Sequence, residues 1–183
     1  METLKERTAT TTKWTLDAIH SELGFKVKHL MISNVKGVFN NFDVQVQGED
    51  FTNSEIRVTV DASSISTSNT DRDDHLKNPD FFDVENYPEL TFQGTSLEQV
   101  DDDEYQLKGI LTIKGISKEV VLDVEFGGMM KDPWGNQKAG FSVSGKINRK
   151  EFGLNWNAAL EAGGVMVGDE VKLNAEVQLV KQS

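Results

Sequence analysis

Apolar and polar residues alternate along most of this chain from Trp14 onward. In LGFKVKH, Leu23, Phe25, Val27 and His29 share one parity, with Lys26 and Lys28 on the other. Ile56, Val58 and Val60 alternate in EIRVTVD, as do Leu107, Gly109, Leu111 and Ile113 in YQLKGILTIKG. The same period recurs at Val120, Leu122, Val124 and Phe126, at Phe141, Val143, Gly145 and Ile147, and from Val171 to Leu179. A period of two marks a strand with one buried and one wet face, the habit of antiparallel sheets. The runs predict about eight strands joined as an up-and-down meander.

Turn chemistry separates the runs. Asp132, Pro133, Trp134 and Gly135 fit a type I turn, and residues 101–104 form an acidic loop tip. Lys114-Gly115 and Gly168-Asp169 read as further reversals, and Gly163-Gly164 as a hairpin or bulge. Gly37, Gly109 and Gly145 fall inside strands, where bends or close backbone approaches are common. So many strands must close or pack as two sheets, because open edges invite aggregation, and the strand glycines favour a curved, closed all-β barrel over a flat sandwich. Residues 13–182 form one domain, preceded by a polar, Thr-rich arm over 1–12.

One segment departs from the alternation. NTDRDDHLKNPDFFDVENYPELTF, residues 69–92, predicts a short helix over 70–77. Asn69 or Thr70 caps it, Asp71, Asp73 and Asp74 sit at its positive end, and Asn78-Pro79 stops it. Capping accounts for these aspartates without a metal. A calcium loop counted from Asp71 needs Gly sixth and Glu twelfth, and finds Leu76 and Phe82. Leu76 and Phe82 are placed instead over one end of the barrel, as a plug or as the rim of an internal cavity.

Composition narrows the chemistry. The 183 residues include no cysteine, which excludes disulfides, thiol nucleophiles and zinc–thiolate sites. The net charge of −11 repels phosphate backbones and anionic lipid head groups, which argues against nucleic acid. No segment reaches the ~20 apolar residues of a membrane-spanning helix, so no stable membrane insertion is expected. The first residues, METLKERTATTTKWTL, lack a signal-peptide core, which predicts a cytoplasmic protein. No phosphate-binding loop occurs, and GFSVSG at 140–145 has Ser144 where a nucleophile elbow needs Gly. No paired acid and base stands out, and neither an enzyme nor a cofactor is expected. His29, inward by parity, is the one polar candidate for a ligand's head.

Several blocks carry a resemblance. WTLDAIHSELGFKVKHLMISNVKGVF (14–39), RDDHLKNPDFFDVENYPELTF (72–92), GILTIKGISKEVV (109–121), INRKEFGLNW (147–156) and VGDEV (167–171) resemble the YceI-like family. The resemblance implies a lipocalin-like antiparallel barrel with an apolar tunnel. It implies polyisoprenoid ligands such as quinone-precursor tails and dimers in some members, and it does not imply an enzyme. A prenyl tail binds only by leaving water, and each five-carbon unit contributes roughly 3–4 kcal/mol. Four or five units exceed association costs of ~4–15 kcal/mol.

On this reading Phe25, Val27, Phe39, Phe42, Phe92, Leu107, Leu111, Leu122, Val124, Phe141 and Val143 line the tunnel. Phe81, Phe82, Phe152 and Trp156 close its ends, and His29 meets the polar head. Two other readings stay open: an enzyme acting on an amphiphile through His29 and a carboxylate, and a module whose barrel is filled by its own side chains.

Overall fold

The computed structural model describes residues 12–48, 50–157 and 166–182. The expected N-terminal arm lies outside them except for Thr12, and so do Gly163 and Gly164. Eleven strand segments form one antiparallel sheet. They are β1 (Lys13–Leu16), β2 (Glu22–His29), β3 (Ser33–Phe39), β4 (Phe42–Gln47), β5 (Glu55–Asp61) and β6 (Ile65–Ser66). β7 (Glu89–Gln99), β8 (Glu104–Ile113), β9 (Ile116–Lys131), β10 (Gln137–Asn148) and β11 (Val167–Lys181) follow.

Three breaks divide otherwise continuous strands. The 3-10 turns Ala18–His20 and Ala62–Ser64 interrupt β1/β2 and β5/β6, and Asn40-Asn41 interrupts β3/β4. Each half keeps its neighbours: β1 and β2 both lie along β11, and β1–β4 continues the β2–β3 hairpin. Counted this way the sheet has eight strands, and the first pairs with the last, Trp14 opposite Lys181 and Leu16 opposite Leu179. The alternation therefore does close into a barrel.

Polar side chains hold the first break. Ser21 Oγ donates to Asp17 O at 2.7 Å and accepts from Gln178 N at 3.0 Å. Lys138 Nζ of β10 donates to Asp17 Oδ2 at 2.6 Å, and His20 Nδ1 stands 2.8 Å from the same oxygen. The Lys138 hydrogen bond, opposed by partial burial and helped by His20, holds the Asp17 carboxyl down to about 2. A depressed carboxylate stabilises the fold above the unfolded pKa, and the contribution disappears as pH falls through about 2. Asp17→Asn is expected to cost about 1 kcal/mol at neutral pH, with solvent screening included, and nothing near pH 2. Urea unfolding of both proteins at the two pH values checks this.

The helix α1 spans Thr70–Lys77, as the sequence predicts. Asn69 Oδ1 accepts from Arg72 N at 3.0 Å, and Asn78 N donates to His75 O at 3.2 Å. The turn at residues 132–135 also forms as expected, with Gly135 N donating to Asp132 O at 3.1 Å and Asp132 Oδ1 accepting from Trp134 N and Asn136 N, each at 2.9 Å. Gly168-Asp169 is no reversal: both lie inside β11, at an irregularity between Val167 and Val171 that bends the strand against β2. The strand glycines have a steric purpose. A methyl group at Gly37, Gly109 or Gly145 would overlap Phe25, Phe92 or Leu122, each of which lies across the bare backbone.

Buried apolar residues gather at both ends of the barrel. Trp14, Val46, Leu97, Ala139 and Leu179 pack at one end. Phe39, Ala62, Ile65, Phe81, Phe152 and Leu154 pack at the end beneath α1.

Candidate functional site

Between these clusters the inward residues do not fill the interior. Phe25, Val27, Leu111, Leu122, Phe141, Val143, Val171 and Leu173 have inward parity but are only half-buried. In a solid core such side chains interdigitate. Here they border a cavity of about 630 Å³ that reaches from Val46, Leu97 and Leu179 to Phe81, Arg149 and Leu154. Strand alternation turns a continuous apolar wall inward, and the outward positions carry Lys, Glu and Asp. That polarity is the reverse of a membrane-spanning barrel.

Of the residues expected at the site, Phe25, Val27, His29, Phe39, Phe42, Phe81, Phe82, Phe92, Leu107, Leu111, Leu122, Val124, Phe141, Val143 and Trp156 all border this one cavity. Phe152 does not. It is 1% exposed and buried in the cluster at the end beneath α1, because the 3-10 turn Arg149–Phe152 folds its ring behind the cavity wall. The filled-barrel reading does not match this hollow interior. The acid–base pair of the enzyme reading is not assembled either: His29 has no ion-paired carboxylate among the described residues. Nor does any cluster of metal-ligating side chains form among them.

Charge is confined to one end of the cavity. Lys28, His29, Asp71, Arg72, His75 and Arg149 border it there, and the far end is apolar. α1 brings Arg72, His75 and Leu76 over the mouth, one helical turn apart. Arg72 Nε donates to Thr67 Oγ1 at 2.7 Å and a terminal nitrogen donates to Thr67 O at 3.0 Å. Asp73 Oδ1 accepts from Thr67 N and Oγ1 at 2.8 and 2.6 Å. His75 Nε2 stands 3.0 Å from Asp80 Oδ2, and its ring meets Phe81 and Trp156 edge-on, at 5.1 and 4.7 Å between centroids. Leu76 and Phe82 border the cavity beside them.

Arg149 forms the floor of this end. It is 3% exposed and donates to the carbonyls of Gly168 (2.8 Å), Leu154 (2.5 Å), Trp156 (2.9 Å) and Val167 (3.2 Å). Burial draws its guanidinium below the usual value, opposed by the Asp169 charge. Neither arginine is among the residues expected at the site, although both carry a signal in the sequence. Arg149 continues the inward parity of Val143 and Ile147, and Arg72 lies four residues before the inward Leu76.

A closed eight-stranded antiparallel barrel with a hollow apolar interior and a charged mouth is the architecture of the lipocalin-like binding proteins. The YceI-like domain matches residues 14–179, and this chain belongs to the YceI-like family. UPF0312 protein SERP2314 of Staphylococcus epidermidis is 47% identical over 170 residues, covering 91% of this chain and 96% of the relative. The crystal structure of Campylobacter jejuni YCEI protein is 38% identical with a TM-score of 0.71, covering 92% of this chain and 98% of that one. Two more distant structures share the fold. Burkholderia cenocepacia BcnA has a TM-score of 0.78 at 22% identity, covering 89% of this chain and 98% of its own. A polyisoprenoid binding domain from Saccharophagus degradans has a TM-score of 0.66 at 15% identity, covering 92% of this chain and 98% of its own.

Proposed function

We propose that this protein binds the apolar chain of an amphiphilic lipid in its tunnel, most favourably a polyisoprenoid such as the tail of an isoprenoid quinone or its precursor. The observation that carries the reading is the half-exposure of inward apolar side chains along a cavity of about 630 Å³ whose charged groups stand at one end only. Such a cavity orients an amphiphile, with its tail against Phe25, Leu111, Leu122 and Val143 and its head near His29, Arg72 and His75. The volume lies within the ~300–1,000 Å³ of ligand pockets. The polyisoprenoid binding of the Saccharophagus degradans domain supports the same class of ligand. In this reading the protein is a non-catalytic carrier or sink that works in the cytoplasm without a cofactor, as a monomer or a homodimer.

Organic extraction of the purified protein followed by mass spectrometry is expected to yield a long-chain amphiphile in near-stoichiometric amount. A lipid-free extract, together with failure of the stripped protein to take up an added prenyl alcohol or quinone, would overturn the proposal.

A further inference from the structure

The net charge of −11 conceals a local reversal of sign. On four consecutive strands, four lysines stand opposite one another at a single level. Lys146 of β10 pairs with Lys172 of β11, Lys172 with Lys26 of β2, and Lys26 with Lys36 of β3. All four point outward, because their neighbours Ile147, Val171, Phe25 and Val35 border the tunnel. Like charges set directly opposite destabilise a sheet, so folding supplies no reason for the row. Lys28, two residues on from Lys26 and bordering the mouth itself, adds a fifth charge. The carboxylate closest to pairing with the row is Glu170, 4.0 Å from Lys146 with both side chains well exposed.

The β2–β3 turn beyond this row is apolar. Leu30, Met31 and Ile32 are 38%, 56% and 83% exposed. Leu30 and Met31 hold φ of 56° and 66°, where Asn or Gly is the usual choice. Leu30 N donates to Met166 O at 2.8 Å, and Met166 and His29 both border the tunnel. The tip thus stands at the charged mouth. Met130 and Trp134 are also exposed, but they lie at the opposite end, which carries the acidic turn at residues 101–104.

We infer that this corner docks on an anionic lipid bilayer. Met31 and Ile32 enter the interface, the lysine row faces the head groups, and the tunnel mouth opens toward the lipid. The charge complementarity is local and overrides the repulsion that the whole-chain charge imposes at a distance, since screening limits that field to about 8–10 Å in physiological salt. An apolar chain then passes between bilayer and tunnel without crossing water. That consequence rests on the carrier reading; the docking itself does not.

The test is co-sedimentation of lipid-stripped protein with vesicles of phosphatidylcholine, alone or mixed with phosphatidylglycerol. Binding is expected only to the anionic vesicles and is expected to fall several-fold at about 0.5 M salt. Lys26→Gln with Lys36→Gln is expected to weaken partitioning roughly 25-fold. Ile32→Asn is expected to weaken it at unchanged charge, and Lys131→Gln with Lys181→Gln, the same charge change at the far end, is expected to leave it intact. All these sites are on the outer surface, and circular dichroism checks folding. Failure of the wild type to bind anionic vesicles would overturn the docking, as would equal losses from the two lysine pairs. Light scattering that shows a dimer dissociated by Ile32→Asn would assign the tip to a second copy and also overturn it. Lipid extracted from the unstripped variants reads the tunnel separately: docking without tunnel lipid sinks the carrier reading alone, and tunnel lipid without docking sinks this inference alone.

Discussion

Ala175→Trp is expected to empty the tunnel while leaving the barrel folded. Ala175 lies midway along β11, opposite Val143 on one side and Leu23 on the other, with its small side chain on the cavity wall. An indole at this point projects into open space. It meets apolar walls and strands no buried polar group beyond its own N–H, so the cost in stability is modest. The cost to a bound chain is larger. Displacing one five-carbon unit forfeits roughly 3–4 kcal/mol of apolar burial, which weakens affinity more than ~100-fold. Extraction and mass spectrometry of wild type and variant, with thermal melts alongside, give the answer. A variant that carries as much lipid as the wild type would mean that the chain does not run through the middle of the barrel.

Arg149→Met is expected to give a large loss of stability. The guanidinium draws the 3-10 turn, the segment at 154–156 and the start of β11 onto one charged centre through four carbonyls. Val167 O keeps Asn157 Nδ2 as a donor at 2.7 Å, but the other three carbonyls lose a charge-assisted bond in a buried place. A loss of about 4 kcal/mol follows, near 10 °C in melting temperature for a chain of this length. Arg149→Lys is expected to recover little of it, since one ammonium does not span the fork. Guanidinium unfolding measures both variants, and a loss under about 1 kcal/mol for Arg149→Met would show that the floor of the barrel holds without this centre.

The elements were legible because each had a local cause. Alternation marked the strands, and Asn69 and Asn78-Pro79 bounded α1 to the residue. What the pattern does not contain is distance across the barrel. Parity says that Phe25 and Val143 point inward, not that a space is left between the walls. Hollowness therefore had to come from the family resemblance and then from the structure. Phe152 packs at the end of the barrel, as expected of a closing residue, but off the cavity wall: an aromatic beyond a strand's end carries no parity, and a tight turn takes it behind the lining. Gly168-Asp169 carried turn chemistry inside a strand because an irregularity in β11 uses the same residues as a reversal. Arg149 keeps the inward parity of β10, but a charge on the inward face looks like the end of a strand.

The seam between β1 and β11 joins residues almost a whole chain apart, with Gln182 N donating to Lys13 O at 2.8 Å. A polypeptide emerging from the ribosome therefore displays its greasy inner wall and the open margin of β10 until the final strand arrives. Folding waits on its last step, and a product truncated before β11 is a candidate for aggregation or proteolysis, not a smaller working barrel.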